Sequence, residues 1–189
     1  MSSKALCVVL LGPPGSGKGT QAERLSTAVG IPAISTGEML RQAVAKGTEL
    51  GDRVAGVMSS GALVDDALMA AIVEERLARP DAAGGFLLDG YPRTAEQAAT
   101  LDSLLEPRGA DLDAVVLLEV PEEVLVRRAL ARRRADDREE VVRERLRVYR
   151  QATEPLVERY EGRGLLRRID GDQLMESVTE AILAALERP

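Results

Sequence analysis

The sequence predicts an α/β domain built on a five-stranded parallel sheet flanked by helices. Three observations carry that prediction. Short apolar runs alternate with longer stretches of helical spacing. The first run, Ala5 to Leu11, is apolar throughout, as in a strand buried on both faces. A glycine-rich turn then follows it and opens a helix.

The strand set is Ala5 to Leu11, Ala33 to Ser35, Phe86 to Leu88, Ala114 to Val120 and Leu165 to Ile169. Lys18 to Val29 reads as the first helix, with Gly30 as its C-terminal stop. Further helices are expected at Asp65 to Arg79, Ala95 to Glu106, Glu122 to Arg133, Arg138 to Glu161 and Leu174 to Leu186. Thr94 with Gln97 forms a capping box, and Pro121 stands where a helix starts. Two stretches break the alternation. Gly37 to Ser59 is helical twice over, broken near Gly47, and reads as a small helical insert. Ala131 to Asp137 is a short charged interruption between two helices.

A chain of 189 residues is long enough for one domain with a large core. With 45% hydrophobic and 30% charged residues, disorder is not indicated. A net charge of −6 argues against a nucleic-acid-binding surface. Arginines nevertheless crowd between Arg127 and Arg150, so an acidic chain has room for a local basic site. Cys7 is the single cysteine and histidine is absent, which leaves no disulfide framework and no Cys/His zinc pattern. The polar start, Met1 to Lys4, leads into a run too short for a signal peptide or a membrane span, and the chain reads as cytosolic.

The chemistry begins at Gly12-Pro13-Pro14-Gly15-Ser16-Gly17-Lys18-Gly19-Thr20. Glycines allow a tight turn whose N–H groups approach phosphate oxygens, and the helix N-terminus adds partial positive charge. Lys18 would reach the outer phosphates as a point charge, so the segment reads as a loop that cradles nucleotide phosphates. The residue after the lysine is Gly19 rather than Ser or Thr, so Thr20 is left to meet the metal indirectly or to bind an α-phosphate oxygen. Asp89 ends an apolar strand, where open α/β sheets place ligands, and its carboxylate can hold magnesium through water or cap a turn.

Gly12 to Gln21, Ser35-Thr36-Gly37-Glu38-Met39-Leu40-Arg41, Asp89-Gly90-Tyr91-Pro92-Arg93 and Arg143-Glu144-Arg145-Leu146 together resemble the signature segments of adenylate kinases. The resemblance runs over nearly the whole chain. It implies a CORE sheet domain, an AMP-binding insert over 35–64 and a short LID over 131–137, where the two interruptions fall. It also implies transfer of a phosphoryl group from Mg-ATP to AMP, giving two ADP. Nothing in the sequence suggests an obligate oligomer, so a cytoplasmic monomer is expected.

The same resemblance assigns residues. ATP would be held by Gly15, Ser16, Gly17, Lys18, Gly19, Thr20, Arg128, Arg132 and Gln173, with Arg128 against the donor adenine. AMP would be held by Thr36, Arg41, Ala62, Leu63, Val64, Gly90, Tyr91, Pro92, Arg93, Gln97, Arg134 and Arg145. Lys18, Arg93, Arg132, Arg134 and Arg145 are the expected catalytic set, and Arg143 is expected beside them. Arg127, Arg133, Arg147 and Arg150 read instead as solvated.

Physical chemistry points the same way. Donor and acceptor phosphates together carry roughly six negative charges, of which one magnesium offsets about two. Arginine suits the remainder, because its fork binds phosphate in bidentate fashion and stays charged. Gln97 lies one helical turn past Arg93, and its amide can match the acceptor and amino donor of adenine. No strong base is needed, because the attacking phosphate oxygen is already ionised. Asp136 and Asp137 either cap the following helix or pair with LID arginines. The LID and the insert would close over both nucleotides before transfer. The LID holds no Cys or His, so no structural zinc is expected. A UMP/CMP kinase and a non-catalytic ATP-binding module are the alternatives.

Overall fold

Each central strand feeds two cores, which is why its sequence is an unbroken apolar run. In β1 (Leu6–Leu11), Cys7, Val9 and Leu11 pack on one side, and Val8 and Leu10 on the other. β3 (Gly85–Asp89) and β4 (Ala114–Glu119) alternate in the same way, with Phe86, Leu88, Val115 and Leu117 against Leu87, Val116 and Leu118. β2 (Ala33–Ser35) and β5 (Leu166–Asp170) are the edges. The five strands are all parallel, in the order β2-β3-β1-β4-β5. This computed structural model describes residues 5–134 and 137–187.

The order places β1 at the centre, between β3 and β4, and so puts the turn after Leu11 at the sheet's switch point. α1 (Lys18–Val29) leaves that turn and ends at Gly30, whose φ of 72° is the left-handed stop expected there. α9 (Met175–Leu186) packs beside α1 through Val178 and Ile182. α2 (Thr36–Ala45) and α3 (Glu49–Ser60) form the helical insert. Their break at Lys46 to Thr48 contains Gly47 at φ 60°. α4 (Asp66–Leu77) and α5 (Ala95–Leu105) cover the larger core. α6 (Glu122–Ala131) and α7 (Glu139–Val148) enclose a small core of Leu125, Ala129, Val142 and Leu146. Among the described residues, no helix is long and apolar enough to cross a membrane.

The expected single helix from Arg138 to Glu161 is a correction. α7 ends at Val148, a π-helical turn spans Tyr149–Thr153, and α8 (Leu156–Gly162) begins after Pro155. A proline cannot follow an ordinary helical turn without its ring meeting the carbonyl four residues back. The wider π turn relieves this, and the Glu154 N–H donates to the Tyr149 carbonyl five residues back, at 2.9 Å. The capping box is also only half present. The Gln97 N–H donates to Thr94 Oγ1 at 3.1 Å, but the Gln97 side chain reaches past Thr94 to the Arg93 N–H.

Candidate active site

The carboxyl ends of β1, β2 and β3 open into one cavity of about 730 Å³. Its walls bring together the Gly12 to Thr20 turn, Thr36 and Arg41 of α2, and Ala62 to Val64 after α3. Asp89 to Arg93 after β3, Gln97 of α5 and the α6–α7 arginines complete it. Lys18, Arg41, Arg93, Arg128, Arg132, Arg134 and Arg145 all line this single space. Of the expected site residues, Ser16, Tyr91 and Gln173 are not in the lining. Ser16 and Tyr91 are buried behind it. Gln173 is exposed and donates to Asp170 Oδ2 at 3.0 Å.

The phosphate loop needs its glycines. A Cβ on Gly15, at φ 87°, would stand 2.5 Å from the Leu125 carbonyl oxygen. Within the loop, Lys18 Nζ donates to the Gly12 carbonyl at 2.8 Å and to the Pro13 carbonyl at 3.1 Å. Burial pulls the Lys18 ammonium down to about 8. Asp89 opposes that shift, while Arg93, Arg132 and Arg134 add to it. Asp89 is 9% exposed, and its Oδ2 accepts from Ser35 Oγ at 3.1 Å. That same oxygen lies 3.7 Å from where a Cβ on Gly19 would stand, so the carboxylate sits against the first turn of α1.

Asp89 fits a water-mediated role toward a phosphate-bound magnesium. Among the described residues, no cluster of three His, Cys, Asp or Glu could hold an ion by itself.

The cavity wall after β3 is built around Gly90. Its φ is 86°, and an added Cβ would stand 2.7 Å from Thr36 Oγ1 and 3.1 Å from Arg93 Nη2. Only glycine lets the backbone pass between those two side chains. Arg93 Nε donates to the Gly90 carbonyl at 2.8 Å, which fixes its fork at the cavity wall. The Arg93 carbonyl accepts from Thr153 Oγ1 at 2.9 Å, so the π turn reaches across to hold this segment. Arg41 donates through Nε and Nη2 to Glu38 Oε2 at 3.1 and 3.0 Å.

The arginine-bearing turn follows α6. Arg133 takes a left-handed φ of 55°, which reverses the chain and turns Arg134 back to the cavity. Asp137 sits at the centre of the group. Its side chain is 1% exposed and accepts from Arg132 Nε, Arg132 Nη2 and the Arg134 N–H. Arg145 Nη1 lies 3.7 Å from Asp137 Oδ1. Asp137 therefore pairs with arginines, and α7 receives no side-chain cap. Asp136 lies outside the described residues, as does the Ala135 part of the expected LID.

Burial lowers the Arg93 guanidinium from its ordinary value, with Asp89 opposing and Arg41 adding. Burial lowers Arg134 as well, reinforced by Arg41 and Arg132. Burial and then the charges of Arg93, Arg132, Arg41 and Arg134 bring Arg145 down to about 10. The cavity thus holds crowded cations whose mutual repulsion a polyanion would relieve.

Arg143 is expected beside this group but pairs outward, with Nη2 donating to Glu139 at 2.8 Å and its side chain 59% exposed. Arg127 and Arg133 are exposed, Arg147 pairs with Glu144 and Arg150 with Glu122, in keeping with solvated roles. Arg128 donates to the Gly171 carbonyl at 2.9 Å and to Asp172 Oδ1 at 3.2 Å, which ties it to the loop before Gln173.

The sequence reading missed Asp66 and Thr153. Asp66 accepts from Gln97 and Thr94, and no local signal separates it from its neighbour Asp65, which caps α4. Thr153 carries no motif, but Pro155 two residues later is a readable warning of a distorted turn.

The adenylate kinase family model matches residues 10–165. The chain is 46% identical to an adenylate kinase of Kosmotoga olearia, over 95% of this chain and 98% of the relative. It is 51% identical to an adenylate kinase of Stenotrophomonas maltophilia, with the same coverage of each chain. An adenylate kinase of Corynebacterium urealyticum is 49% identical, over 96% of this chain and 99% of the relative. With the family model spanning most of the chain and these relatives matching it end to end, the chain belongs to the adenylate kinase family.

Proposed function

We propose a residue-level mechanism for the reaction of this family, reversible phosphoryl transfer from Mg-ATP to AMP that gives two ADP. One observation carries it: Lys18, Arg41, Arg93, Arg132, Arg134 and Arg145 converge on the phosphate loop's cavity. A site that only stored ATP would have no use for cations on both sides of the transferred group.

The loop N–H groups from Gly15 to Thr20 and the start of α1 cradle the donor phosphates, and Lys18 reaches their outer oxygens. Arg132 works on the donor side. Arg128 and the loop at Gln173 flank the donor adenine. Asp89, through water, and Thr20 are the side chains that would meet a magnesium ion bound to the donor phosphates, and that ion would offset part of their charge. Arg41 and Arg93 hold the AMP phosphate, and Arg134 and Arg145 neutralise it from the other side. Thr36, Ala62, Leu63, Val64, Gly90 and Pro92 shape the acceptor pocket with Tyr91 packed behind them, and Gln97 reads its base. An oxygen of the AMP phosphate, already ionised, attacks the γ-phosphorus of ATP in line, and the bond to the β,γ-bridging oxygen breaks so that ADP leaves. Catalysis is then positioning and charge neutralisation.

The insert over 35–64 and the short LID over 131–137 close over the pair of nucleotides and exclude water. This reading has the chain act as a cytoplasmic monomer.

The test is an acceptor panel with Mg-ATP. AMP is expected to be used far more efficiently than CMP, UMP or GMP. Equal efficiency with CMP or UMP would move the chain to the UMP/CMP kinases, and no transfer to any acceptor would leave an ATP-binding module.

A further inference from the structure

We propose that Asp66 fixes which way round the Gln97 amide faces the acceptor base, and so makes the site choose a 6-aminopurine over a 6-oxopurine. The inference rests on the reading of the acceptor as AMP with Gln97 at its base. Asp66 opens α4, two residues after Val64 of the acceptor wall. Its Oδ1 accepts from Gln97 Nε2 at 2.7 Å, and its Oδ2 accepts from Thr94 Oγ1 at 3.1 Å. At the other end of the same amide, Gln97 Oε1 accepts from the Arg93 N–H at 2.7 Å. Thr94 Oγ1 in turn accepts from the Gln97 N–H at 3.1 Å, so the group closes into a ring.

The two clamps are chemically one-way. An ionised carboxylate only accepts, and a backbone N–H only donates. Turning the amide over would set its NH₂ against the Arg93 N–H and its oxygen against the Asp66 carboxylate. Gln97 is 2% exposed, so water is poorly placed to repair either mismatch. The side-chain amide has two N–H donors and two acceptor lone pairs. One donor is spent on Asp66 and one lone pair on Arg93. The second N–H and the second lone pair remain, in a fixed order, on a residue that lines the cavity.

A freely turning amide serves two kinds of purine. In one orientation it matches an unprotonated ring nitrogen beside an amino group. In the other it matches a ring N–H beside a carbonyl. Discrimination between those edges therefore depends on what holds the amide, and a site whose polar groups are left unpaired rejects the wrong substrate strongly. Asp66 acts here as a positioning residue. If it served only to tie α4 to α5, its loss would lower stability and leave base choice alone.

The experiment measures kcat/KM with Mg-ATP for AMP and for IMP in the wild-type chain, Asp66→Ala and Asp66→Asn. Asp66→Asn keeps the side chain's shape but can present either an oxygen or an NH₂ to Gln97, so it loosens the clamp with the least risk to folding. The preference for AMP over IMP is expected to fall at least about tenfold in Asp66→Ala. A fall of at least about threefold is expected in Asp66→Asn. Most of each change should lie in KM for AMP. If Asp66→Ala does not fold, Asp66→Asn decides alone. An AMP to IMP preference unchanged within about twofold in the folded variants overturns the role of Asp66, whatever their thermal midpoints. A wild-type chain that fails to prefer AMP overturns the base assignment itself, so the two failures are told apart.

Discussion

Asp137 grips the guanidinium of Arg132 with both carboxylate oxygens, Nε donating to Oδ2 at 2.9 Å and Nη2 to Oδ1 at 2.7 Å. Its Oδ2 also accepts from the Arg134 N–H at 2.9 Å. Burial alone would raise this carboxyl. The Arg132 hydrogen bonds and the Arg134 N–H outweigh it and hold Asp137 below the ordinary carboxylate value. A carboxylate lowered in the folded chain contributes stability that is present above its unfolded value, near 3.8, and is lost as pH falls through its folded value. Asp137→Asn is expected to cost about 2 kcal/mol at neutral pH and to flatten the loss of stability below about pH 4. Urea unfolding across that range checks both. An unchanged acid limb would mean that the pair does not persist in solution.

The same pair bears on closure. Arg132 has an anionic partner before any phosphate arrives, so a nucleotide must compete for it or share it. A ligand that joins two adenosines through a phosphate chain is expected to protect the described amides at 131–134 from hydrogen exchange, more than ATP or AMP alone. Amides in β1 should change little. Equal protection by ATP alone would show that the acceptor has no part in closing this turn.

Lys18 gives a proton signal. With its ammonium brought down to about 8, much of it is neutral at pH 9 in the free chain. Bound phosphates restore the charged form, so nucleotide binding at pH 9 is expected to take up a proton. Below pH 7 Lys18 is already charged and its share of the uptake vanishes. Calorimetry in buffers of different ionisation enthalpy measures this directly. Lys18→Met should remove most of the uptake at pH 9.

With Mg-ATP as the proposed donor, removal of divalent ions should stop turnover, and added magnesium should restore it. The fold is expected to survive the treatment with an unchanged thermal midpoint. Elemental analysis should find no stoichiometric zinc after chelator dialysis. Zinc retained at one per chain, or unfolding on chelation, would require a structural metal.

Much of this site was readable in the sequence because its parts are local. The turn from Gly12 to Thr20 and the segment Asp89 to Arg93 each follow an apolar strand, and the parallel order brings both to one edge. Gly30 and the break near Gly47 stood out because glycine at positive φ ends helices. What escaped reading is tertiary. Asp66 and Gln97 are thirty-one residues apart and meet only because α4 packs on α5. Thr153 reaches Arg93 across sixty residues, through a π turn that the helical spacing of Arg138 to Glu161 conceals. Arg143 and Arg145 look alike in the sequence, and only the rotation of α7 turns one to the cavity and the other to Glu139.

The central claim is that the cavity's convergent cations carry the transfer, and Lys18→Met tests it most directly. Lys18 Nζ touches the loop carbonyls of Gly12 and Pro13, and its charge is disfavoured in the free chain, so the fold should tolerate its loss. The measurement is steady-state turnover of Mg-ATP and AMP to ADP, with the thermal midpoint recorded on the same preparation. The expected result is a fall in kcat of at least about a hundredfold, with the midpoint within about 4 °C of the wild-type value. Turnover within about tenfold of wild type, in a variant that folds normally, would contradict the claim.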